Sequence, residues 1–327
     1  MKKILITGGA GYIGRQIIDI LSKQRKYKIF VIDDLSATKK NYLNKNINFL
    51  KVNLLNKKKV NEYFSLNKFE SVIHLAAKCI VSEGEKNKKY YFNNNVVGTK
   101  NLINCCIKYG VQNFIFSSSC TIFSNNIKIV KENSRKKPIS FYGKTKLMCE
   151  KIIENKLKKT NTKFIILRYF NVVGADVKKK IGELNTKDRL FNNFSRKVLL
   201  TKNLNIYGNS YNTKDGTCIR DYIHVFDLAT IHIKCLEKFK TLKKKLHLNC
   251  SYGKGYSVLE IAKKFQKLKK NKIKIIYKDR RKGDMQEIST SNKKLNKFIK
   301  WSPKYNNLTK MVKSSFFWNK YLLNKVI

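Results

Sequence analysis

Tyr142 and Lys146 stand four residues apart in the run Tyr142-Gly143-Lys144-Thr145-Lys146. One helical turn brings positions i and i+4 to the same face, so the ammonium can lie beside the phenol. A free tyrosine ionises near pH ~10 and is a poor base at neutral pH. A fixed positive charge favours the phenolate and lowers that pKa, giving a proton acceptor or donor useful near neutrality. In a lysine-rich chain the same letters also describe an exposed helix start, so the pair means little without a partner for its chemistry. One partner precedes it. Phe114-Ile115-Phe116 runs into Ser117-Ser118-Ser119 and sets hydroxyls at the end of an apolar strand. In a doubly wound sheet that carboxyl edge is where ligands bind, so Ser119, Tyr142 and Lys146 are expected on one rim.

The elements that must position these groups begin at the N-terminus. Lys3-Ile4-Leu5-Ile6-Thr7 has strand character, and Gly8-Gly9-Ala10-Gly11-Tyr12-Ile13-Gly14 follows at once. Ile17, Ile18 and Leu21 then fall at helical spacing. Strand, glycine turn and helix in that order form a dinucleotide-binding beginning. Glycine lets the main chain turn sharply and approach a pyrophosphate, and the helix N-terminus offers unpaired N–H groups and partial positive charge. The glycines fall as Gly8-x-x-Gly11-x-x-Gly14, the spacing of the short-chain dehydrogenase branch of that fold. A second strand, Lys28–Ile32, ends at Asp33-Asp34, and Asp33 stands where an acid binds the adenosine ribose hydroxyls. A carboxylate there repels a 2′-phosphate, which favours NAD over NADP. His74-Leu75-Ala76-Ala77 ends a fourth strand with small residues that let a cofactor lie close to the sheet.

The first half alternates strands (3–7, 27–33, 47–52, 71–76, 113–118, 163–169) with helices (12–24, 54–66, 96–109, 142–158). That is the pattern of an α/β, Rossmann-like, doubly wound parallel sheet. Short strands follow at 203–207 and 218–222. A helix over 226–239 carries Leu228, Ile231, Cys235, Leu236 and Phe239 on one face. Another over 257–267 has Ser257 as N-cap and Glu260 completing a capping box. The expected division is an NAD-binding domain over 1–170 and a smaller C-terminal α/β substrate domain over 171–327, with segments returning to the first.

Composition limits the remaining classes. At 327 residues the chain can bury a large core. No signal peptide and no run of eighteen apolar residues are visible, so no membrane span is expected. The eight cysteines form no C-x-x-C and sit mostly in apolar runs, as in a cytoplasmic protein with reduced thiols. The four histidines do not cluster with them, and no metal site is expected. The formal charge of +50 invites a nucleic-acid partner. Against that, 62 of the 71 basic residues are Lys spread along the whole chain with abundant Asn and Ile, and only 9 are Arg. No basic tail, zinc finger or aromatic RNA-binding stripe accompanies them.

Further blocks give the chain a resemblance. They are Leu167-Arg168-Tyr169-Phe170-Asn171, Asp215-Gly216-Thr217-Cys218-Ile219-Arg220-Asp221-Tyr222-Ile223-His224-Val225 and Arg280-Arg281-Lys282-Gly283-Asp284. With the glycine turn, the serine strand and Tyr142–Met148, they resemble the extended short-chain dehydrogenase/reductase family, and within it the UDP-glucose 4-epimerases, essentially end to end. The resemblance implies NAD as cofactor, a UDP-hexose as substrate, redox-neutral inversion at C4, and a homodimer formed through helices 96–109 and 142–158. It implies Ser119, Tyr142 and Lys146 as the catalytic set. Cofactor contacts would come from Gly8, Gly11, Tyr12, Ile13, Gly14, Asp33, Asn53, Leu75, Ala76, Ala77, Asn95, Tyr142, Lys146 and Phe170. Asn171, Asn193, Arg220, Arg281 and Asp284 would hold the UDP part, with Ser119 and Tyr142 on the sugar.

The departures are specific. The family's lysine after the fourth strand is Cys79 here, with Lys78 one place earlier. Its adenine-side acid is Asn53, whose carbonyl can still accept from an amino group. Val-Tyr-Gly is replaced by Ile122-Phe123-Ser124, and the proline before the tyrosine by Phe141. Segment 182–204 is shorter than usual. Ile288 replaces a bulky tyrosine near the sugar, which would make room for an N-acetyl group. Cys120 and Thr121 follow Ser119 where a 4,6-dehydratase needs an acid. A UDP-uronic acid enzyme, and a non-catalytic NAD-binding protein on the same fold, are the remaining alternatives.

Overall fold

The computed structural model describes residues 1–38, 40–124, 127–184, 189–269, 273–281 and 284–324. Contacts divide the chain into two compact units. The first comprises Met1–Ser124, Arg135–Tyr169 and Ala229–Leu248; the second, the described residues of Asn125–Ser134, Phe170–Leu228 and Asn249–Ile327.

Short apolar runs build the first unit. In the strand Lys2–Thr7 (β1) the consecutive side chains Ile4, Leu5 and Ile6 are all buried, which marks a strand covered on both faces. The helix Tyr12–Leu21 (α1) follows, then the strands Tyr27–Asp33 (β2) and Asn48–Lys51 (β3) and the helix Lys57–Asn67 (α2). Next come the strand Ser71–His74 (β4) and the helices Val81–Lys86 (α3), Lys88–Tyr91 (α4) and Gly98–Lys108 (α5). The strand Asn113–Ser119 (β5) leads to Ile129–Val130 (β6), which belongs to the second unit. The chain returns through the helix Phe141–Leu157 (α6) and the strand Lys163–Tyr169 (β7).

The sheet order is β11-β7-β5-β4-β1-β2-β3, where β11 is the late strand Lys245–Cys250. Pairings from β3 through β2, β1, β4 and β5 to β7 are parallel. The order reverses direction at β1, between β2 and β4, which is where the carboxyl edge of such a sheet opens a crevice. Its core includes Leu5, Phe30, Phe64, Phe69, Phe114, Phe116, Ile153 and Phe164.

In the second unit the strands Asn171–Val173 (β8) and Ile219–His224 (β10) pair in parallel. Strand β10 also joins Gly255–Ser257 (β12) antiparallel and Glu287–Thr290 (β14) in parallel, and β14 takes β6 on its far side. Leu204–Tyr207 (β9) and Ile275–Lys278 (β13) form a separate parallel pair. The helices Leu190–Leu199 (α7) and Val258–Gln266 (α9) meet through edge-on rings at Phe191, Phe194 and Phe265. Val225–Lys238 (α8) passes from the second unit into the first, and Lys293–Ile299 (α10) and Leu308–Leu323 (α11) complete the chain.

The parallel α/β architecture agrees with the sequence reading, and several boundaries move. The strand expected over 71–76 stops at His74, and the helix expected over 12–24 stops at Leu21. The helix expected over 54–66 starts at Lys57, because Asn56 caps it by accepting from Lys59 N. The helix expected over 96–109 starts at Gly98, preceded by a π-helical stretch, Phe92–Val97. The apolar face expected on 226–239 is buried as a set, with Phe239 in a 3₁₀ turn beyond α8. The capping box at Ser257 and Glu260 is present in both directions. Strands β6, β8 and β11 to β14 and helices α3, α4, α7, α10 and α11 were not anticipated. Lysines at the start of β11 obscure its strand pattern, and α3 and α4 are short and polar.

Candidate active site

Two contacts fix the start of α6, which carries Tyr142, in the first unit. A Cβ placed on Gly143 would lie 2.5 Å from the Thr121 carbonyl oxygen, so only glycine lets the turn after β5 lie against the start of α6. Ser140 caps that helix, accepting from Gly143 N at 3.1 Å. The start of α6, with Tyr142, therefore lies against the turn that follows Ser119. Ser119 Oγ accepts from the Thr121 N–H at 3.2 Å and the Thr121 hydroxyl at 3.0 Å. With both lone pairs engaged, its remaining capacity is to donate its own proton.

Tyr142 is buried at 9% exposure, in the first turn of α6. One turn on, Lys146 is 3% exposed; its Nζ donates to the Ser117 carbonyl at 2.7 Å and lies 4.9 Å from the Phe116 ring centre and 5.9 Å from that of Tyr142. Burial lowers the pKa of this ammonium, and the neighbouring Cys149, Cys79 and Glu150 oppose the shift. Beside it His74 bridges Thr7 Oγ1 at 2.6 Å and Thr99 Oγ1 at 2.8 Å, and burial pushes its pKa down to about 3, which keeps the imidazole neutral.

A clamp that the sequence reading missed lies beneath these groups. Glu150 and Arg168 are almost wholly buried and paired at both ends, Nε to Oε1 at 2.9 Å and Nη2 to Oε2 at 2.8 Å. Ser118 Oγ donates to the same Oε1 at 2.6 Å. Ser118 and Arg168 are register partners across β5 and β7, so one carboxylate ties α6 to both strand ends. A Glu eight residues after a tyrosine carries no chemical signal until that register is known.

The glycine turn has the form a pyrophosphate needs. Gly8 has φ +72°, and a Cβ there would strike Ala76 N at 2.6 Å; one on Gly14 would strike Gly8 O at 2.6 Å. Helix α1 starts at Gly11 with no side-chain cap and no acid in its first turn, leaving its N–H groups and positive end to an anion. Tyr12 and Ile13 open that helix. Asp33, at the end of β2, accepts from Ala10 N at 3.0 Å and Leu35 N at 2.8 Å; burial raises its pKa against those bonds. Leu75, Ala76 and Ala77 are half-buried and follow β4, with Leu75 N donating to Thr7 O. These features fit a dinucleotide.

Two residues expected at the cofactor make hydrogen bonds within the chain. Asn95 is buried; its amide accepts from Lys78 N at 2.8 Å and donates to Lys78 O at 3.0 Å and Thr145 Oγ1 at 3.2 Å, ordering the segment after β4 against α6. The Asn53 carbonyl accepts from Leu55 N at 2.9 Å, and its nitrogen donates to Asp34 Oδ2 at 2.7 Å.

The second unit holds the remaining candidates. Arg220 on β10 donates to the Ile219 carbonyl at 2.9 Å and lies 3.9 Å from the Asp284 carboxylate. Arg281 is exposed and lies with its guanidinium 3.9 Å from the Tyr207 ring centre. Arg280 sits in the same way 4.1 Å from Tyr211. Tyr207, Tyr211 and Arg280 were not singled out in the sequence. Asn171 pairs in register with Tyr222, Asn193 is half-buried on α7, and Phe170 is buried next to Asn171. Ile288 is the register partner of Arg220 and is buried.

Known proteins share this fold. Residues 4–251 match the profile of the NAD dependent epimerase/dehydratase family. The chain is 35% identical over 336 residues to the UDP-glucose 4-epimerase of Bacillus subtilis (strain 168), covering 98% of each. It superposes with a TM-score of 0.91 on the UDP-glucose-4-epimerase of Stenotrophomonas maltophila, solved with bound NAD and formylated UDP-arabinopyranose, at 27% identity over 99% of this chain and 100% of that one. The UDP-Glc/GlcNAc 4-epimerase of Campylobacter jejuni is 34% identical with a TM-score of 0.84, over 98% of this chain and 100% of that one. With the family profile spanning most of its length and a full-length relative above 30% identity, this chain belongs to the NAD-dependent epimerase/dehydratase family.

Proposed function

We propose that this chain is an NAD-dependent UDP-glucose 4-epimerase, interconverting UDP-glucose and UDP-galactose. The observation that carries the reading is the seating of Tyr142 and Lys146 on α6 against the serine end of β5, buried and clamped. A protein that only binds NAD has no need of such a group.

Bound NAD supplies an acceptor for the C4 hydride and a donor that returns it, so the reaction is redox-neutral. Tyr142, as phenolate, takes the proton from the sugar 4-hydroxyl and gives it back once the 4-keto sugar has turned its other face. Ser119 donates a hydrogen bond to that oxygen throughout. Lys146 supplies the positive charge that favours the phenolate. Gly8, Gly11, Tyr12, Ile13 and Gly14 would hold the pyrophosphate, Asp33 the adenosine ribose, and Leu75 to Ala77 would let the cofactor lie on the sheet. Arg220 and Arg281 would grip the UDP diphosphate through charge-assisted hydrogen bonds, with Asn171, Asn193 and Asp284 on the rest of the UDP part, keeping it anchored while the sugar is loose. The first unit thus serves NAD and the second the UDP-sugar.

The test has two stages. Denaturing the purified protein should release NAD, and UDP-galactose should be converted to UDP-glucose in a coupled assay. Retained NAD with no conversion of any UDP-sugar would leave only a binding protein.

A broader substrate range is favoured by Ile288, which sits opposite Arg220 in the register of β10 and β14. Its modest size would admit an N-acetyl group, as in a UDP-Glc/GlcNAc enzyme. Similar rates on UDP-galactose and UDP-N-acetylgalactosamine are expected; no turnover of the latter removes this extension. A homodimer through α5 and α6 is part of the same reading, supported by Ile107 and Met148 exposed on those helices. Sedimentation should give twice the 38.3 kDa chain mass. No helix among the described residues is long and apolar enough to cross a membrane, and the eight cysteines are not joined by disulfides. These features support a cytoplasmic enzyme, which cell fractionation would check.

A further inference from the structure

The carboxyl edge of β2 ends in two adjacent acids, and the proposed function uses only the first. Asp33 turns both oxygens to the main chain, at Ala10 N and Leu35 N. Asp34 is held differently. Its Oδ1 accepts from the Ser36 N–H at 2.9 Å and from the Ser36 hydroxyl, and its Oδ2 accepts from Asn53 Nδ2 at 2.7 Å. Lys78 closes the network, donating from Nζ to Ser36 Oγ at 2.6 Å. Segments following three different strands, β2, β3 and β4, thus join in one hydrogen-bond network around Asp34 and Ser36.

The orientation of Asn53 is fixed on both sides. Leu55 N–H must face its oxygen, so its nitrogen must face Asp34. An acid at 53 would set two carboxylates against each other at hydrogen-bond distance, and one would have to take up a proton. Position 53 is therefore an amide because position 34 is an acid. The charges also sum simply: Asp33 and Asp34 against Lys78 leave one net negative charge at the end of β2. Lys78 also acts electrostatically on both acids, and the bonds from Ser36 and Asn53 hold the Asp34 carboxyl below its usual pKa despite burial.

We propose that Asp34, oriented by Asn53 and partly balanced by Lys78, is a specificity residue for the cofactor, adding the second negative charge that turns away a 2′-phosphate. The inference rests on the reading that NAD lies along the glycine turn. It also gives Lys78 a task different from the one vacated at Cys79: it tunes the acid pair.

The test is binding of reduced NAD and reduced NADP to cofactor-free protein, followed by fluorescence. Asp34→Asn removes one negative charge and leaves the Lys78 ammonium facing the site. The preference for NAD over NADP should fall on the order of tenfold or more, mainly through tighter NADP binding. Lys78→Met should move the ratio the opposite way by weakening NADP further, and it serves if Asp34→Asn does not fold. Asn53→Asp should lower the melting temperature of the cofactor-free protein, and Asp34→Asn with Asn53→Asp should recover it, since the amide and acid then exchange places. An unchanged ratio in both Asp34→Asn and Lys78→Met overturns the proposal. Wild-type protein that binds neither nucleotide defeats the underlying NAD reading instead.

Discussion

The group around Tyr142 and the group around Arg281 are held in opposite ways. In the first unit Ser119, Tyr142, Lys146, Glu150 and Arg168 are all buried, and both oxygens of Glu150 are bound. In the second, Arg281 and Asp284 are exposed, and Arg220 and Arg281 rest on a main-chain carbonyl and a tyrosine ring. On the proposed mechanism, proton transfer tolerates little misplacement of the acid or base, and the parts assigned to it are fixed before substrate arrives. A diphosphate brings charge and geometry of its own, and flexible guanidinium groups can close on it. The lesson is that burial in this chain follows the precision each step needs.

The largest expected effect tests the rigid side. Tyr142→Phe should lower turnover by about 10³-fold or more while NAD stays bound and the melting temperature holds. An equal loss of kcat in Arg281→Ala would erase the distinction. Glu150→Ala leaves the buried Arg168 charge without its carboxylate, and should cost about 3–5 kcal/mol of stability in urea unfolding. Glu150→Leu combined with Arg168→Met should restore most of that stability without restoring the rate, since an apolar pair no longer ties Ser118 to α6. Arg281→Ala, on the loose side, should weaken UDP binding by about 1.5–3 kcal/mol in calorimetry, with the effect shrinking as salt rises, while changing stability by about 0.5 kcal/mol or less.

The smallest effect concerns Asp221, a buried acid of the second unit. Burial raises the Asp221 pKa from 3.8 to about 7, opposed by the Ser251 hydroxyl at 2.8 Å. The folded state then binds a proton that the unfolded state has released. Stability from this group is full below the unfolded value and is lost as pH rises through about 7. Unfolding of Asp221→Asn should show a flatter pH dependence than wild type between pH 5 and pH 8.

What could be read in advance follows the range of the interaction. Gly8 to Gly14 and Tyr142 to Lys146 are legible because each works within one turn of chain. The Glu150–Arg168 clamp is not, because it needs the register that sets Ser118 opposite Arg168. The Asn53 carbonyl was read only as an acceptor for a ligand; a side chain of this type also bonds the N–H two residues on, and Leu55 takes one of its two lone pairs. Asp34 was passed over because Asn53, which bonds it, and Lys78, which bonds its neighbour Ser36, come from segments that only the fold brings together.

The place of β11 has a consequence for how the protein is made. The sheet of the first unit ends in a strand supplied by Lys245–Cys250, far along the chain from its neighbour β7. During synthesis at about 5–20 residues per second, β7 emerges well before its partner and waits many seconds with an open edge. An unpaired apolar edge is a template for pairing with other chains. Substitutions that weaken β11 should therefore show first as nascent chains lost to aggregation, at unchanged specific activity among the molecules that escape.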